Sequence, residues 1–395
     1  MIQASGKIYN ELDKQSIQEW LDSGEEIPYG TYYKKFEEGL AEYIGTDYAY
    51  FVNSGSSANL LAFAAMFYYK KLKRGDEIIT VAASFPTTIS PIVQYGCIPV
   101  FVDIDLRSYN INIEQMKSAL TEKTKGVFIA HTLGNPFDLN AVLKFCKEND
   151  LFLIEDNCDA FGSLYNNKKT GGFGDISTTS FYPAHEMSTG GGGAVFTSNK
   201  EIAKIVLSLR NWGRDCVCPP NKDNVCTKRF SQQHGELPFG YDHKYVFSYF
   251  GYNLMATNIQ AALGLSQLKR IDDFTKQRQT NFKELYSGLF KNKKFILPRM
   301  LPESIPSWFG FPLLCVNDNR KEVIDYLSKN EIGVRLLFAG DITKQPCMLN
   351  NDIQYRKINN LPNTETVMNR LFWVGCWHGL YKEDIEKIIN TLNRF

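Results

Sequence analysis

Short β-branched and aromatic runs alternate with helix-like stretches through the first half of the chain. The runs are AYFVNS (49–54), EIITV (77–81), IPVFVDI (98–104), GVFIAH (126–131), LFLIED (151–156), ISTTSFY (176–182) and GAVFTS (193–198). Most are nearly continuously apolar, short and bounded by turn residues, which predicts strands buried on both faces. Between them, SSANLLAFAAMFYYKKL and NAVLKFCKEND place apolar residues at helical spacing. Strands alternating with helices predict an α/β fold whose mainly parallel sheet is covered by helices. Ligands of such sheets bind beyond the carboxyl ends of the strands. The residues just after each run are therefore where chemistry is expected.

The pattern breaks over 211–246, a stretch rich in Gly, Pro, Asn and Asp with no apolar period. It is too long for an ordinary connection and reads as a functional loop. Helical character resumes over about 252–290. From 296 onward a second set of strands begins, with helices expected at NRKEVIDYLSKN and KEDIEKIINTLNRF. A boundary near 290 divides the chain into a large domain, 1–290, and a smaller C-terminal α/β domain, 291–395.

Composition narrows the function classes. The 395 residues are 44% apolar and 22% charged, with 44 Lys+Arg against 43 Asp+Glu. Without a basic tail or a basic–aromatic stripe, nucleic acid is not an expected partner. The N-terminus shows no signal-peptide pattern, and ANLLAFAAMFYY is too short to span a bilayer. A cytoplasmic protein without membrane attachment is expected. In that compartment the nine cysteines are expected to stay free of disulfides, so any with ligand-like spacing matter.

Three strand ends carry candidate chemistry. NSGSSANLLAF (53–63) closes a strand and opens a helix whose free N–H groups and dipole favour an anion, although on these residues alone a plain serine N-cap is the stronger reading. LFLIEDNCDAFGS ends a buried strand with Glu155 and Asp156. A carboxylate there caps a helix or pairs with a cationic ring nitrogen of a cofactor. ASFPTT puts Phe85 where an aromatic face either packs in the core or stacks on a flat ring.

Together these segments resemble the DegT/DnrJ/EryC1/StrS sugar-aminotransferase family, which has the aspartate-aminotransferase fold and uses pyridoxal phosphate. In that family a strand ending Ser-Phe precedes a Schiff-base lysine and a Gly-rich turn. Here SFYPAHEMSTGGGG puts His185 in the lysine's place. The resemblance therefore implies a cofactor held non-covalently, as pyridoxamine 5'-phosphate, with the imidazole as catalytic base. An ordinary histidine pKa suits that role at neutral pH. The same exchange marks the family's sugar 3-dehydratases, in which the cofactor condenses with a 4-keto sugar and the C3 hydroxyl leaves. By the resemblance, Gly55, Ser56, Ser57 and Ser180 bind phosphate, Phe85 stacks on the ring and Asp156 pairs with its nitrogen. Asp159 contacts the ring hydroxyl. Asn253 reaches the phosphate of a neighbouring subunit, implying a homodimer. His131 and Asn135, in AHTLGNP, are read as substrate contacts or as a capped turn. Arg335 is read as a nucleotide-phosphate ligand or a solvated arginine.

Four cysteines, Cys158, Cys216, Cys218 and Cys226, are spaced like those of the family branch that acts on CDP-4-keto-6-deoxyhexoses with a [2Fe–2S] cluster. Spacing alone fits a four-cysteine zinc site as well. The surrounding RNWGRDC, GYDHKY and GYNL resemble that branch, which implies a flavin or iron–sulfur reductase as electron donor and a role in 3,6-dideoxyhexose and lipopolysaccharide synthesis. The sequence departs from the family at Gly191, where an acid is usual. Two other readings stand beside this one: a cluster-free dehydratase acting on a GDP-sugar, and a non-catalytic binding or regulatory protein.

Overall fold

The computed structural model describes residues 1–219 and 222–395; of the irregular segment read over 211–246, Pro220 and Asn221 lie outside the described residues. In chain order the first strands are β1 (Tyr48–Val52), β2 (Glu77–Val81), β3 (Ile98–Val102), β4 (Thr124–Ala130) and β5 (Phe152–Asp156). Two short strands, β6 (Leu164–Tyr165) and β7 (Lys168–Lys169), precede β8 (Ile176–Ser180) and β9 (Gly193–Thr197). Then follow β10 (Phe295–Ile296), β11 (Ser304–Ile305), β12 (Phe311–Cys315), β13 (Val334–Arg335), β14 (Arg356–Lys357) and β15 (Leu371–Val374).

Among the described residues the central sheet has eight strands in the order β1-β9-β8-β5-β4-β2-β3-β14. Within it β9 alone runs against the others, pairing antiparallel with both β1 and β8. The run from β8 to β14 is parallel. Adjacent strand residues point to opposite faces, and both faces are covered. Ile79, Val127, Ile129 and Leu153 belong to one core, while Ile78, Phe128, Phe152 and Ile154 belong to the other. That is why these strands read as continuous apolar runs rather than as alternation. Each fully buried side chain of this kind contributes roughly 1.5–3 kcal/mol.

The helix Gly55–Tyr69 is lined with Ala and Leu and is buried on nearly every side, packed against the sheet core. The helix Leu139–Glu148 starts where Asp138 accepts from Ala141 N at 2.9 Å, and it buries Val142, Phe145 and Cys146. Ile271–Leu289 is a single long helix whose end packs Phe282, Leu285 and Leu289 into the core of the second sheet. That sheet, β10-β12-β15-β13, is flanked by Arg320–Lys329 and Lys382–Arg394. The two sheets are tied to one another. Strand β14 leaves the C-terminal part of the chain to pair with β3, and Ile2 bridges to Ile332. No helix among the described residues is long and apolar enough to cross a membrane.

Candidate active site

The parallel register aligns the strand ends that matter. Asp156, the last residue of β5, stands opposite Ala130 of β4 and Thr178 of β8. Beyond these ends lies a cavity of about 480 Å³. Gly55, Ser56, Phe85, Asp156, Cys158, Asp159, Ser180, His185 and Arg335 all line it, so residues distant in sequence are gathered around one space.

The anion end is built from the turn after β1. Ser54 caps the helix, its Oγ accepting from Ser57 N at 3.0 Å. Gly55 sits so close to β8 that a Cβ there would lie 2.5 Å from Ser180 Cβ. Gly193 is needed for the same reason, since its Cβ would meet Ser54 O at 2.5 Å. The glycine run thus lets β9 pass behind the turn and leaves Gly55 and Ser56 open to the cavity. Gly191 is different: a side chain there meets open space, so sterics do not account for the missing acid. Gly55→Ala is expected to destabilise the protein by about 1–3 kcal/mol, the usual effect of overpacking, and to weaken cofactor binding. Urea denaturation and a pyridoxamine phosphate titration check both effects.

Neighbouring carboxylates on β5 have opposite fates because they face opposite ways. Glu155 is fully buried and accepts from Gly171 N (2.9 Å), Phe173 N (2.8 Å) and Gly174 N (2.6 Å), which folds the 171–174 turn around it. Asp156 faces the cavity. Its Oδ2 accepts from Asn59 Nδ2 (2.8 Å) and Thr88 Oγ1 (2.7 Å), and its Oδ1 from Cys158 N (3.1 Å). Asn59 is itself aimed by Thr178, whose hydroxyl donates to its Oδ1 at 2.6 Å. This polar frame fixes a carboxylate on the cavity wall. Phe85 is half exposed at the rim, edge-on to Phe338 with centroids 6.3 Å apart.

His185 closes the opposite wall. Its Nδ1 lies 3.6 Å from Asp159 Oδ1, and Nδ1 and Asp159 Oδ2 are both buried without a hydrogen-bond partner. The ring is tilted against Phe309, 5.1 Å between centroids. The buried Arg278 fixes the local backbone, donating to His185 O (3.1 Å) and Trp308 O (3.0 Å). Burial, and then the Arg278 charge, push the imidazole down to about 3 rather than leaving it near its ordinary value. Burial, and then the Asp156 charge, push the Asp159 carboxyl up to about 8. The imidazole is thus neutral at working pH and a weaker base than an exposed histidine. An anion bound beside it raises its basicity.

Several residues were not visible as site elements in the sequence. Asn59, Thr88 and Arg278 are polar positions inside helices, where pattern alone does not distinguish them from solvent-facing residues. Glu186 is fully buried, and neither carboxyl oxygen has a hydrogen-bond partner; burial holds its carboxyl well above the usual range.

Other sequence candidates fall elsewhere. His131 is wholly buried and stacked on Phe137 at 4.2 Å, with Nε2 against Glu155 (3.0 Å) and Nδ1 accepting from Phe137 N (3.3 Å). Asn135 is buried, donating to Ser108 O (3.2 Å) and Arg299 O (3.0 Å). Neither lines the cavity; both make their contacts at the turn after β4. Arg335 does line it, with Nη1 donating to Val334 O. Asn253 lines a separate cavity of about 780 Å³, together with Cys216 and Cys218.

The four cysteines do not converge within the chain. Cys216, Cys218 and Cys226 surround one small cavity, with thiol contacts running from Cys216 to Cys218 to Cys226. Cys158 lines the large cavity, and the two share no lining residue. Burial and the adjacent Asp156 push the Cys158 thiol well up, and burial pushes the Cys216 thiol up as well. Within one chain, three of the four cysteines share the small cavity and Cys158 stands on the wall of the larger one.

The chain is 46% identical to the lipopolysaccharide biosynthesis protein RfbH of Salmonella typhimurium, over 100% of this chain and 92% of that protein. It is 45% identical to the dTDP-4-dehydro-2,6-dideoxy-D-glucose 3-dehydratase of Saccharopolyspora spinosa, over 100% of this chain and 86% of that one. The solved structure of E. coli GDP-4-keto-6-deoxy-D-mannose-3-dehydratase with bound hydrated PLP superposes with a TM-score of 0.89 at 31% identity, covering 99% of both chains. Residues 7–393 match the family model itself. The chain belongs to the DegT/DnrJ/EryC1/StrS aminotransferase family and has the fold-type I architecture of pyridoxal-phosphate enzymes.

Proposed function

We propose that this protein is a nucleotide-sugar 3-dehydratase that works with pyridoxamine phosphate on a CDP-4-keto-6-deoxyhexose, with electrons supplied through a [2Fe–2S] cluster. One observation carries the reading. Among the described residues the cofactor-sized cavity is lined by no lysine, and His185 stands on its wall. The cavity residues fit the cofactor: Gly55, Ser56 and Ser180 suit its phosphate, Phe85 its ring face, and the framed carboxylate of Asp156 its nitrogen. When bound, the cofactor supplies an amine to join a sugar ketone and a ring to draw off electron density.

The chain's own residues do the rest. Asp156 keeps a cationic partner protonated. The His185 imidazole accepts a proton in a cavity whose buried walls of Phe309 and Trp373 limit access of water. Arg335 at the rim matches a phosphate of the nucleotide. Asn253 reaches toward the cofactor phosphate of a second copy in a homodimer. Overall the C3 hydroxyl takes up one proton and leaves as water, and two electrons from the reductase with a second proton place one hydrogen at C3. The product serves lipopolysaccharide synthesis as a 3,6-dideoxyhexose donor.

A second reading is favoured by the separation of Cys158 from the other three cysteines: a cluster-free dehydratase acting on a GDP- or dTDP-sugar. Anaerobic purification followed by assay of CDP-, GDP- and dTDP-4-keto-6-deoxyhexoses, with and without a reductase, separates the two. Brown protein whose turnover needs electrons and prefers the CDP sugar is the expected result. Colourless protein that dehydrates a GDP sugar without a reductant establishes the second reading.

A further inference from the structure

We propose that Phe338 is a positioning residue whose ring sets the ring of Phe85 against the flat face of the cofactor. This inference rests on the ring-face role given to Phe85 above and deepens it. Phe338 holds φ at +41°, in the left-handed region that a bulky L-residue rarely occupies. The turn that follows β13 imposes that conformation from both sides. Before Phe338, Leu336 O accepts from Trp373 Nε1 at 3.1 Å. After it, Ala339 O accepts from Gln345 Nε2 at 2.9 Å, and Gly340 N donates back to Leu337 O at 2.9 Å. Strain of this kind persists only where surrounding contacts over-determine the backbone, and it collects at ligand sites.

The same turn is fastened to the strand end that carries Phe85. Ala339 N donates to Ser84 O at 3.2 Å and Ile342 N to Ala82 O at 3.0 Å. Ala82, Ile89 and Ile342 form part of a small core, with Ala339 packed against it. Phe338 thereby meets Phe85 in a T-shaped contact, 74° between the planes and 6.3 Å between centroids. That geometry is one of the favoured arrangements of two aromatic rings. Among the described residues Phe338 is the one aromatic ring packed on Phe85. Phe85 itself is half exposed at the start of the helix Pro86–Gln94, so its ring has the cavity on one side and little else to restrict it. Both phenyl rings and Arg335 line that cavity. The strained backbone delivers a ring to the back of Phe85 and favours one orientation of it.

Full-length Phe338→Gly, Phe338→Leu, Phe338→Tyr and Phe85→Ala proteins, with the Phe338→Gly, Phe85→Ala double variant, test this by titration with pyridoxamine phosphate. Glycine adopts a positive φ freely, so Phe338→Gly removes the ring and leaves the turn its conformation. Phe338→Leu keeps the bulk and loses only the aromatic contact. The readouts are the dissociation constant and the circular dichroism of the bound cofactor. Phe85→Ala is expected to weaken binding about tenfold, and Phe338→Gly and Phe338→Leu about threefold each, from the usual worth of ring contacts. The double variant weakens it by about the same tenfold as Phe85→Ala alone, because Phe338 acts through that ring. Phe338→Tyr, which restores a ring, stays within about twofold of wild type. The cofactor's circular dichroism in Phe338→Gly moves toward that of Phe85→Ala and returns in Phe338→Tyr. A double variant weakened about thirtyfold, the product of the single effects, overturns the proposal, since Phe338 then acts independently of Phe85. Wild-type affinity in both Phe338→Gly and Phe338→Leu, with Phe85→Ala weakened, overturns it too and leaves the role of Phe85 standing. Wild-type affinity in Phe85→Ala instead removes the stacking role itself, and this inference with it.

Discussion

His185→Ala is expected to lower turnover about a hundred- to ten-thousandfold, the usual worth of a positioned acid–base group, while pyridoxamine phosphate affinity stays within a few-fold. The two effects separate because the imidazole contributes neither to the serine turn that suits the phosphate nor to the Asn59–Thr88 frame around Asp156. Steady-state turnover and a fluorescence titration with the cofactor measure them. His185→Lys is the companion. It restores a primary amine at the place the aminotransferases use, so dehydration is lost, and borohydride trapping with pyridoxal phosphate puts the cofactor on the peptide containing position 185. Wild type carries no label there. The basicity of His185 adds a second measurement. In the cofactor-free protein, burial and Arg278 hold the imidazole near 3, so its NMR signal should not titrate between pH 8 and 5. On cofactor binding the anion favours the protonated form, and the apparent pKa rises. Full turnover in His185→Ala, or cofactor trapped at position 185 of wild type, would rule out the base assignment.

Asp156→Asn is expected to weaken cofactor binding about 10–100-fold, the equivalent of losing one charge-assisted hydrogen bond of roughly 1.5–3 kcal/mol, and to lower turnover further at saturating cofactor. The size follows from the frame. Three donors, Asn59, Thr88 and the Cys158 amide, are already committed to this carboxylate, so an amide there loses the charge and also turns an NH₂ toward groups that need an acceptor. Thr88→Val and Asn59→Ala, which keep the charge and loosen its hold, should each cost about 2–10-fold, from roughly 0.5–1.5 kcal/mol per hydrogen bond. Calorimetric titration with pyridoxamine phosphate measures all three, and circular dichroism confirms that the variants fold. Equal affinity of Asp156→Asn and wild type would remove the carboxylate from the cofactor site.

Much of the frame is legible in one dimension. Runs such as IPVFVDI and LFLIED are apolar at every position because both faces of the sheet are covered, and each of the main strands expected from such runs lies within about two residues of its place. The Ser-rich turn after β1, the carboxylate ending β5 and the histidine after β8 are legible too, because a strand end in a parallel sheet is a predictable place. The histidine in the lysine position could be recognised only through resemblance to a family.

Other features depended on which groups met after folding. Glu155 and Asp156 are equivalent in the sequence, and the pleat assigns one to a backbone turn and the other to the cavity. His131 looks like a ligand after a strand end, yet Glu155, 24 residues away in sequence, takes it into the core. Arg278 holds the backbone of His185 across 93 residues.

The chain's residue order by itself determined the sheet, its burial and the positions of the strand ends, because these follow from local periodicity and short-range turns. Only the tertiary structure decided which polar groups are spent on one another and which remain free. Within one chain it also set Cys158 on one cavity and the other three cysteines on another. Hydrogen bonding and metal ligation act over a few ångströms in space, and distance along the chain does not report on that.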